Sequence, residues 1–117
     1  MNVTIIHTSK VESTVLDELA KELPGIIADV MQVPGGNVAI VKPEQVSLEF
    51  TQASPRDVGS DIRIKLFARH NDRRSTTGNV RATAILEKID ALIARSDEKC
   101  SVDVRLYLME VGAAEHS

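Results

Sequence analysis

The chain has few aromatic and sulfur-bearing residues. Of its 117 residues only 3% are aromatic, tryptophan is absent, and Cys100 is the only cysteine. A single thiol can form neither an internal disulfide nor a thiolate metal site, and such sparing use of cysteine is typical of proteins of the reducing cytoplasm. The core must therefore be built mainly from aliphatic side chains, within a total apolar content of 43%.

The chain also lacks long apolar runs and an excess of positive charge. No run approaches the length needed to span a membrane, and the opening MNVTIIHTSK has no basic segment followed by a long apolar stretch. The net charge of -3 disfavours nucleic acid and anionic membranes, whose protein partners present a basic face. We therefore expect a cytoplasmic protein with no nucleic-acid or membrane partner.

The pattern that is present is a strand–helix–strand unit that occurs twice, in residues 1–52 and 61–111. Alternating apolar residues predict strands, and apolar residues three or four apart predict one helix in each half. The strands are expected around Asn2–His7, Val46–Thr51, Ile62–Arg69 and Val102–Met109. The length suits one domain, residues 1–117. The predicted fold class is α/β, of the two-layer α+β kind, with a four-stranded mixed sheet and two helices on one face.

Proline and glycine predict the breaks in the first half. Pro24 and Gly25 interrupt the apolar stripe of the first helix, so we expect a kink or two shorter helices near Leu23. Ser9 or Ser13 is the expected cap of that helix. The segment Pro34–Asn37 is typical of a turn.

The sheet face opposite the helices has a mixed composition. Its expected side chains are Ser47, Glu49, Thr51, Arg63, Lys65, Phe67, Arg69, Asp103, Arg105, Tyr107 and Met109. One interpretation is a water-facing surface with cross-strand ion pairs. The other is an interface between copies of the chain, in which the aromatic and methionine side chains pack.

A polar segment, Asn71–Asn79, precedes the second helix. Two arginines, several hydroxyl groups and free backbone amides at a helix N-terminus would suit a carboxylate or a phosphate. The alternative is that Ser75, Thr76 or Thr77 only caps the helix while Arg73 and Arg74 point into water. The segment lacks the spacing of a nucleotide P-loop.

No familiar catalytic or metal-binding pattern is present. His7, His70 and His116 are scattered, so we expect no metal and no cofactor. Neither the pair Asp97–Glu98 nor the pair Glu44 and Glu49 has a spacing that requires acid–base chemistry. Cys100 has no sequence signal that would make its thiol reactive.

The arrangement resembles the tautomerase superfamily, whose larger members are tandem strand–helix–strand chains that assemble as trimers. Leu23-Pro24-Gly25 followed by Ile26-Ile27 is similar to the first helix of 5-carboxymethyl-2-hydroxymuconate isomerases. Residues 61–69 and the Arg-Ser start of the following helix look like their third strand and second helix, and residues 62–69 also look like uncharacterised tautomerase-like families. The resemblance covers nearly the whole chain and implies a homotrimer.

The resemblance implies proton transfer by an N-terminal proline, with arginine or lysine side chains holding a carboxylated keto or enol substrate. This chain has Asn2 where the proline is expected, so the amine of Met1 becomes the candidate base. The candidate cations are Arg73, Arg74 and Arg105, with Lys42 as a further one.

Three functions remain open. The first is a diverged tautomerase-fold protein without proline-dependent activity, which binds a small carboxylated molecule or forms a structural trimer. The second is an active isomerase on a small keto acid that uses the Met1 amine. The third is a ferredoxin-like regulatory or RNA-binding module, for which an acidic chain with few aromatic residues is poorly suited.

Overall fold

The fold consists of two strand–helix–strand halves, as the sequence predicts. The computed structural model describes residues 1–35, 40–96 and 98–116. In chain order the elements are β1 (Asn2–His7), α1 (Ser13–Val30), a 3₁₀ turn (Pro43–Gln45), β2 (Ser47–Gln52), β3 (Ile62–Arg69), α2 (Asp72–Thr76), α3 (Gly78–Ile93) and β4 (Val102–Met109). The short α2 is an addition, since the sequence predicted a loop at that place.

The four strands form one mixed sheet in the order β2-β1-β3-β4. Within each half the two strands are parallel, and the halves join through the antiparallel pair β1 and β3. Because β3 runs opposite to β1, the start of β1 lies at the same edge of the sheet as the ends of β3 and β4. That edge, called here the N-terminal edge, brings Met1 close to Arg69 and Met109.

One face of the sheet forms the core with both helices. Strand β3 alternates strictly, with Ile62, Ile64, Leu66 and Ala68 buried. Buried residues of the neighbouring strands and of α1 and α3 complete the same aliphatic cluster. The predicted two-layer fold is confirmed, because each strand places every second side chain on one face.

Helix α1 is continuous through Pro24. Its buried stripe of Leu19, Leu23 and Ile27 continues past the proline, and that packing holds the helix together. Of the two predicted alternatives, the break into two shorter helices is therefore wrong, and the kink stays a prediction. The predicted serine caps are also wrong, because Glu12 occupies the cap position and its backbone N–H donates to the Glu98 carboxylate at 3.1 Å.

The opposite face of the sheet is open within the described part of the chain. The strand register places Asn2 beside Phe67, and Phe67 beside Tyr107. The two aromatic rings stack with their centroids 5.0 Å apart. Tyr107 and Met109 remain 37% and 39% exposed, so the most apolar part of this face lies near the N-terminal edge.

Two local observations complete the fold. Of the predicted turn Pro34–Asn37, the structure describes Pro34 and Gly35, where the positive φ of 71° suits a glycine. Gly36 and Asn37 lie outside the described residues. None of the described helices is long and apolar enough to cross a membrane.

The assignment of buried and exposed positions can be tested by comparing the same substitution, valine to alanine, at one position of each kind. Val3→Ala removes two methyl groups from a side chain that is 1% exposed, whereas Val58→Ala removes them from one that is 95% exposed. At about 0.8 kcal/mol for each buried carbon, the core variant should lose roughly 1.6 kcal/mol or more of unfolding free energy. Urea denaturation of both variants measures this, and equal losses would contradict the assignment of the core.

Candidate functional site

A cavity of about 710 Å³ lies at the N-terminal edge of the sheet. Its wall combines the starts of β1 and β2, the ends of β3 and β4, and the segment that follows β4. The charged groups in the wall come from Met1, Arg69, Arg74, Glu110 and Glu115. This volume falls in the range of small-molecule sites in proteins.

The chain start is held in this cavity by backbone pairing with the second strand. The Met1 amine donates to the Gln45 carbonyl at 3.1 Å, and the Met1 carbonyl accepts from the Ser47 N–H at 2.9 Å. Asn2 continues this pairing opposite Ser47. The predicted candidate base therefore lies in a defined position on the cavity wall.

Arg74 is the only charged residue that is buried in the described part of the chain. It is 5% exposed, and its Nε and Nη2 donate to the Met31 carbonyl at 3.3 and 3.1 Å. No carboxylate of the described residues lies within salt-bridge distance of its guanidinium group. Burial, followed by the charge of Arg81, lowers the pKa of Arg74. A guanidinium group nevertheless stays protonated in proteins, so the wall holds a buried positive charge.

The neighbouring Arg73 is directed elsewhere. It is exposed, and its Nη1 donates to the Pro34 carbonyl at 2.6 Å. The two arginines predicted together are separated because α2 turns their side chains to different directions. Arg73 is not part of the cavity wall.

The free amides expected near these arginines are not free. The Asn71 side chain accepts from the backbone N–H groups of Arg73 and Arg74, at 3.0 and 3.3 Å. Asn71 therefore caps α2. Of the three predicted caps, Thr77 occupies the N-cap position of α3, although its side chain makes no capping hydrogen bond. The two amides that Asn71 binds are therefore not available to an anion.

The two other predicted cations also lie outside the cavity wall. Arg105 is on the open face of the sheet, where its Nε lies 3.2 Å from the Asp103 carboxylate. The carboxylate hydrogen bond, followed by its charge, raises the pKa of Arg105. Lys42 is exposed before the 3₁₀ turn, and its backbone N–H donates to the Gln45 side chain at 2.9 Å.

The segment after β4 forms a wall that the sequence did not predict. Glu110–Ala113 and Glu115 line the cavity, and the Val111 carbonyl accepts from Arg69 Nη2 at 3.4 Å. All of this segment is exposed. No periodic pattern marks these residues, and their place follows only from β4 ending beside the start of β1.

Arg69 was placed on the open face by the alternation of β3, but its part in the cavity was missed. It is the last residue of β3, and the antiparallel pairing with β1 brings it to the N-terminal edge. The aromatic wall is provided by Phe67, two residues earlier on the same face. Both assignments required the strand order.

A second polar cluster lies at the other end of the sheet, around Asp61. The Asp61 carboxylate accepts from the Ser101 N–H at 3.1 Å and from Lys10 Nζ at 3.4 Å. Its backbone carbonyl accepts from the Thr8 N–H at 2.9 Å. The Ser101 backbone hydrogen bond is the main cause that lowers the pKa of Asp61. The cluster joins the end of β1 to the starts of β3 and β4, so its role is structural.

Cys100 lies beside this cluster and is unsuited to nucleophilic chemistry. Burial, followed by a hydrogen bond to Glu98, raises the pKa of its thiol to about 11. The thiol is therefore protonated near neutral pH. Asp97, of the pair Asp97–Glu98, lies outside the described residues. Within the described ranges no group of three or more His, Cys, Asp or Glu residues is placed to hold a metal ion.

Comparison with solved structures identifies the fold. A fused 4-OT solved as a symmetric trimer superposes with a TM-score of 0.67 at 12% identity, over 97% of this chain and 92% of the other. A second fused 4-OT, an asymmetric trimer, gives 0.68 at 12% identity over 100% and 95%. Malonate semialdehyde decarboxylase gives 0.62 at 10% identity over 94% and 85%.

These neighbours are tautomerase-superfamily proteins, so the predicted tautomerase-like fold is confirmed. No family model matches this chain, and no curated protein matches it in sequence.

The Asp61 cluster generates a pH prediction. Because the folded-state pKa of Asp61 is lowered, its charge stabilises the fold fully above the unfolded pKa of about 3.9, and the stabilisation is lost as the pH falls through the lower folded value. Asp61→Asn should therefore reduce the unfolding free energy at pH 7, with a smaller difference from the parent below about pH 4. Urea denaturation at both pH values measures this.

The exposed Asp17 on α1 provides the matched control. Asp17→Asn should change stability little at either pH. An Asp61→Asn deficit as large at pH 3 as at pH 7 would show that the carboxylate charge is not the cause.

Proposed function

We propose that this chain is a diverged tautomerase-fold protein that binds a small carboxylated molecule in the cavity at the N-terminal edge. The observation that carries the proposal is the buried guanidinium group of Arg74. A buried charge without an opposite charge is costly, and a ligand carboxylate would remove that cost. The described residues supply Arg74 with one backbone carbonyl only.

The rest of the wall fits such a molecule. The Met1 amine and Arg69 add positive charge, while Phe67 and Met109 offer apolar surface. The carboxylates of Glu110 and Glu115 also lie in the wall, where they repel an anion and leave one net positive charge to attract it. A ligand with one carboxylate and a small apolar or aromatic group matches this combination.

We further propose that the chain forms a homotrimer through the open face of the sheet. The exposed Tyr107 and Met109 and the stacked Phe67 would be buried by such contact. Two of the solved neighbours are trimers by their own description. Native mass spectrometry tests this directly, and a stable monomer at micromolar concentration would contradict it.

The carboxylate site is tested by substituting Arg74. Phenylpyruvate is a suitable probe, because it combines a carboxylate with an aromatic ring. In isothermal titration calorimetry, Arg74→Gln should weaken binding about tenfold or more, since a hydrogen bond to a charged group contributes ~1.5–3 kcal/mol. Arg74→Lys keeps the charge and should retain part of the affinity.

Arg73→Gln is the matched comparison, because it neutralises the adjacent arginine that lies outside the wall. It should bind phenylpyruvate nearly as the parent does. Equal losses for Arg73→Gln and Arg74→Gln would contradict the assignment of the site to Arg74.

A second candidate function is isomerisation of a small keto acid with the Met1 amine as the base. The observation that favours it is that the Met1 amine and Arg74 line the same cavity. An amine at the cavity wall could accept a proton from the carbon next to the keto group while Arg74 holds the carboxylate.

The chemistry is tested by ketonization of phenylpyruvate enol with the parent and with Asn2→Pro. We expect little activity from the parent and a gain of at least about tenfold from the variant, a barrier reduction of ~1.4 kcal/mol. Intact mass must show that Met1 has been removed from the variant. Parent activity that is abolished by acetylating the Met1 amine would instead favour the second candidate function.

A further inference from the structure

The C-terminal end of α1 is held by two arginines from the second half of the chain. Arg81 Nη1 donates to the Val30 carbonyl at 2.6 Å and to the Gln32 carbonyl at 2.9 Å. Arg74 donates to the carbonyl between them, that of Met31. Three successive carbonyl groups are therefore bound by two guanidinium groups.

This arrangement satisfies a need of α1. The last carbonyls of a helix have no partner within the helix and carry partial negative charge. The last turn of α1 contains no basic residue of its own. The Val30 carbonyl is the last of α1 and the Met31 carbonyl belongs to its C-cap residue, so Arg74 of α2 and Arg81 of α3 complete the hydrogen bonding of this helix end.

Arg81 is itself held in a fixed direction. Its Nε donates to Thr77 Oγ1 at 2.8 Å, and Thr77 Oγ1 donates to the Arg73 carbonyl at 2.6 Å. These two bonds connect the start of α3 to α2, the helix that carries Arg74. The guanidinium group of Arg81 thus has fixed partners on both sides.

We propose that Arg81 is a positioning residue for the cavity, acting through Arg74. By binding the carbonyls on both sides of Met31, Arg81 fixes the acceptor that orients the Arg74 guanidinium group along the cavity wall. Arg81 does not line the cavity, so it would not touch a ligand. The expected effect of Arg81 on ligand binding rests on the carboxylate site proposed above. The effect of Arg81 on the orientation of Arg74 does not depend on that site.

The charges of the two arginines add a second effect. The two arginines bring two positive charges to the C-terminal end of α1. The helix dipole there is equivalent to only about half a negative charge, so excess positive charge remains beside the cavity. The charge of Arg81 also contributes to the lowered pKa of Arg74. A bound carboxylate would relieve this repulsion, so Arg81 favours an anionic ligand over a neutral one of the same shape.

The direct test follows hydrogen exchange of the Arg74 Nε–H by ¹⁵N NMR in the full chain. Arg81→Met should accelerate this exchange about tenfold or more, because the Met31 carbonyl loses its support. Arg81→Lys places one ammonium group near the two carbonyls and should accelerate it less, which amounts to partial rescue. Lys88→Met, at an exposed position on the same helix, is the control and should leave exchange unchanged.

Exchange of the Ile64 backbone amide, in the central β3, reports whether the core has changed. Unchanged Ile64 exchange with faster Arg74 exchange is the expected result. Unchanged Arg74 exchange in Arg81→Met would overturn the proposal. If Arg81→Met does not fold, Arg81→Lys decides, since Arg74 exchange equal to that of the parent would overturn it as well.

Phenylpyruvate titration separates this proposal from the proposed function. If the parent binds the probe, Arg81→Met should weaken binding about tenfold, and Lys88→Met should not. If the parent does not bind it, the proposed carboxylate site fails for this probe. The Arg74 exchange measurement then still decides whether Arg81 positions Arg74.

Discussion

The antiparallel pairing of β1 with β3 is the constraint on which the rest of the structure depends. It is the only strand pair of the described sheet that joins the two halves. Its register sets Asn2 opposite Phe67, so the chain start meets the end of β3 at one edge. Since α2 follows β3 almost at once, Arg74 is delivered to the same edge. A change of register by one residue would turn the buried faces of the strands outward.

The same pairing explains why the arginines that bind the end of α1 also lie near the cavity. Helix α1 ends near the N-terminal edge, where its last carbonyls accept hydrogen bonds from the second half, while α3 begins nearby with Arg81 in its first turn. Each half therefore supplies what the other lacks: acceptors from the first, donors from the second. The surplus of positive charge that remains is located beside the cavity.

Much of the fold could be predicted from local patterns. The bounds of β1, β3 and β4 agree with the alternation of apolar residues, and both long helices agree with their apolar stripes. The predicted break of α1 at Pro24 does not occur, because the free-energy cost of a proline inside the helix is outweighed by the packing of Leu23 and Ile27 in the core. Asparagine is a preferred N-cap residue, so Asn71 is a sequence feature from which α2 could have been predicted. Its side chain binds two of the backbone amides that were expected to be free for an anion.

The four strands and the two long helices, and the face that each of them buries, can be predicted from the sequence alone, which also shows several arginines within residues 69–81. These properties follow from spacing along the chain, which strand and helix geometry translate directly into direction. Local patterns do not show that Arg74 is buried at the cavity wall while Arg73 is exposed, or that Arg81 binds the end of α1. Those outcomes depend on contacts between segments some forty residues apart, where the strand order and the antiparallel register decide which groups meet.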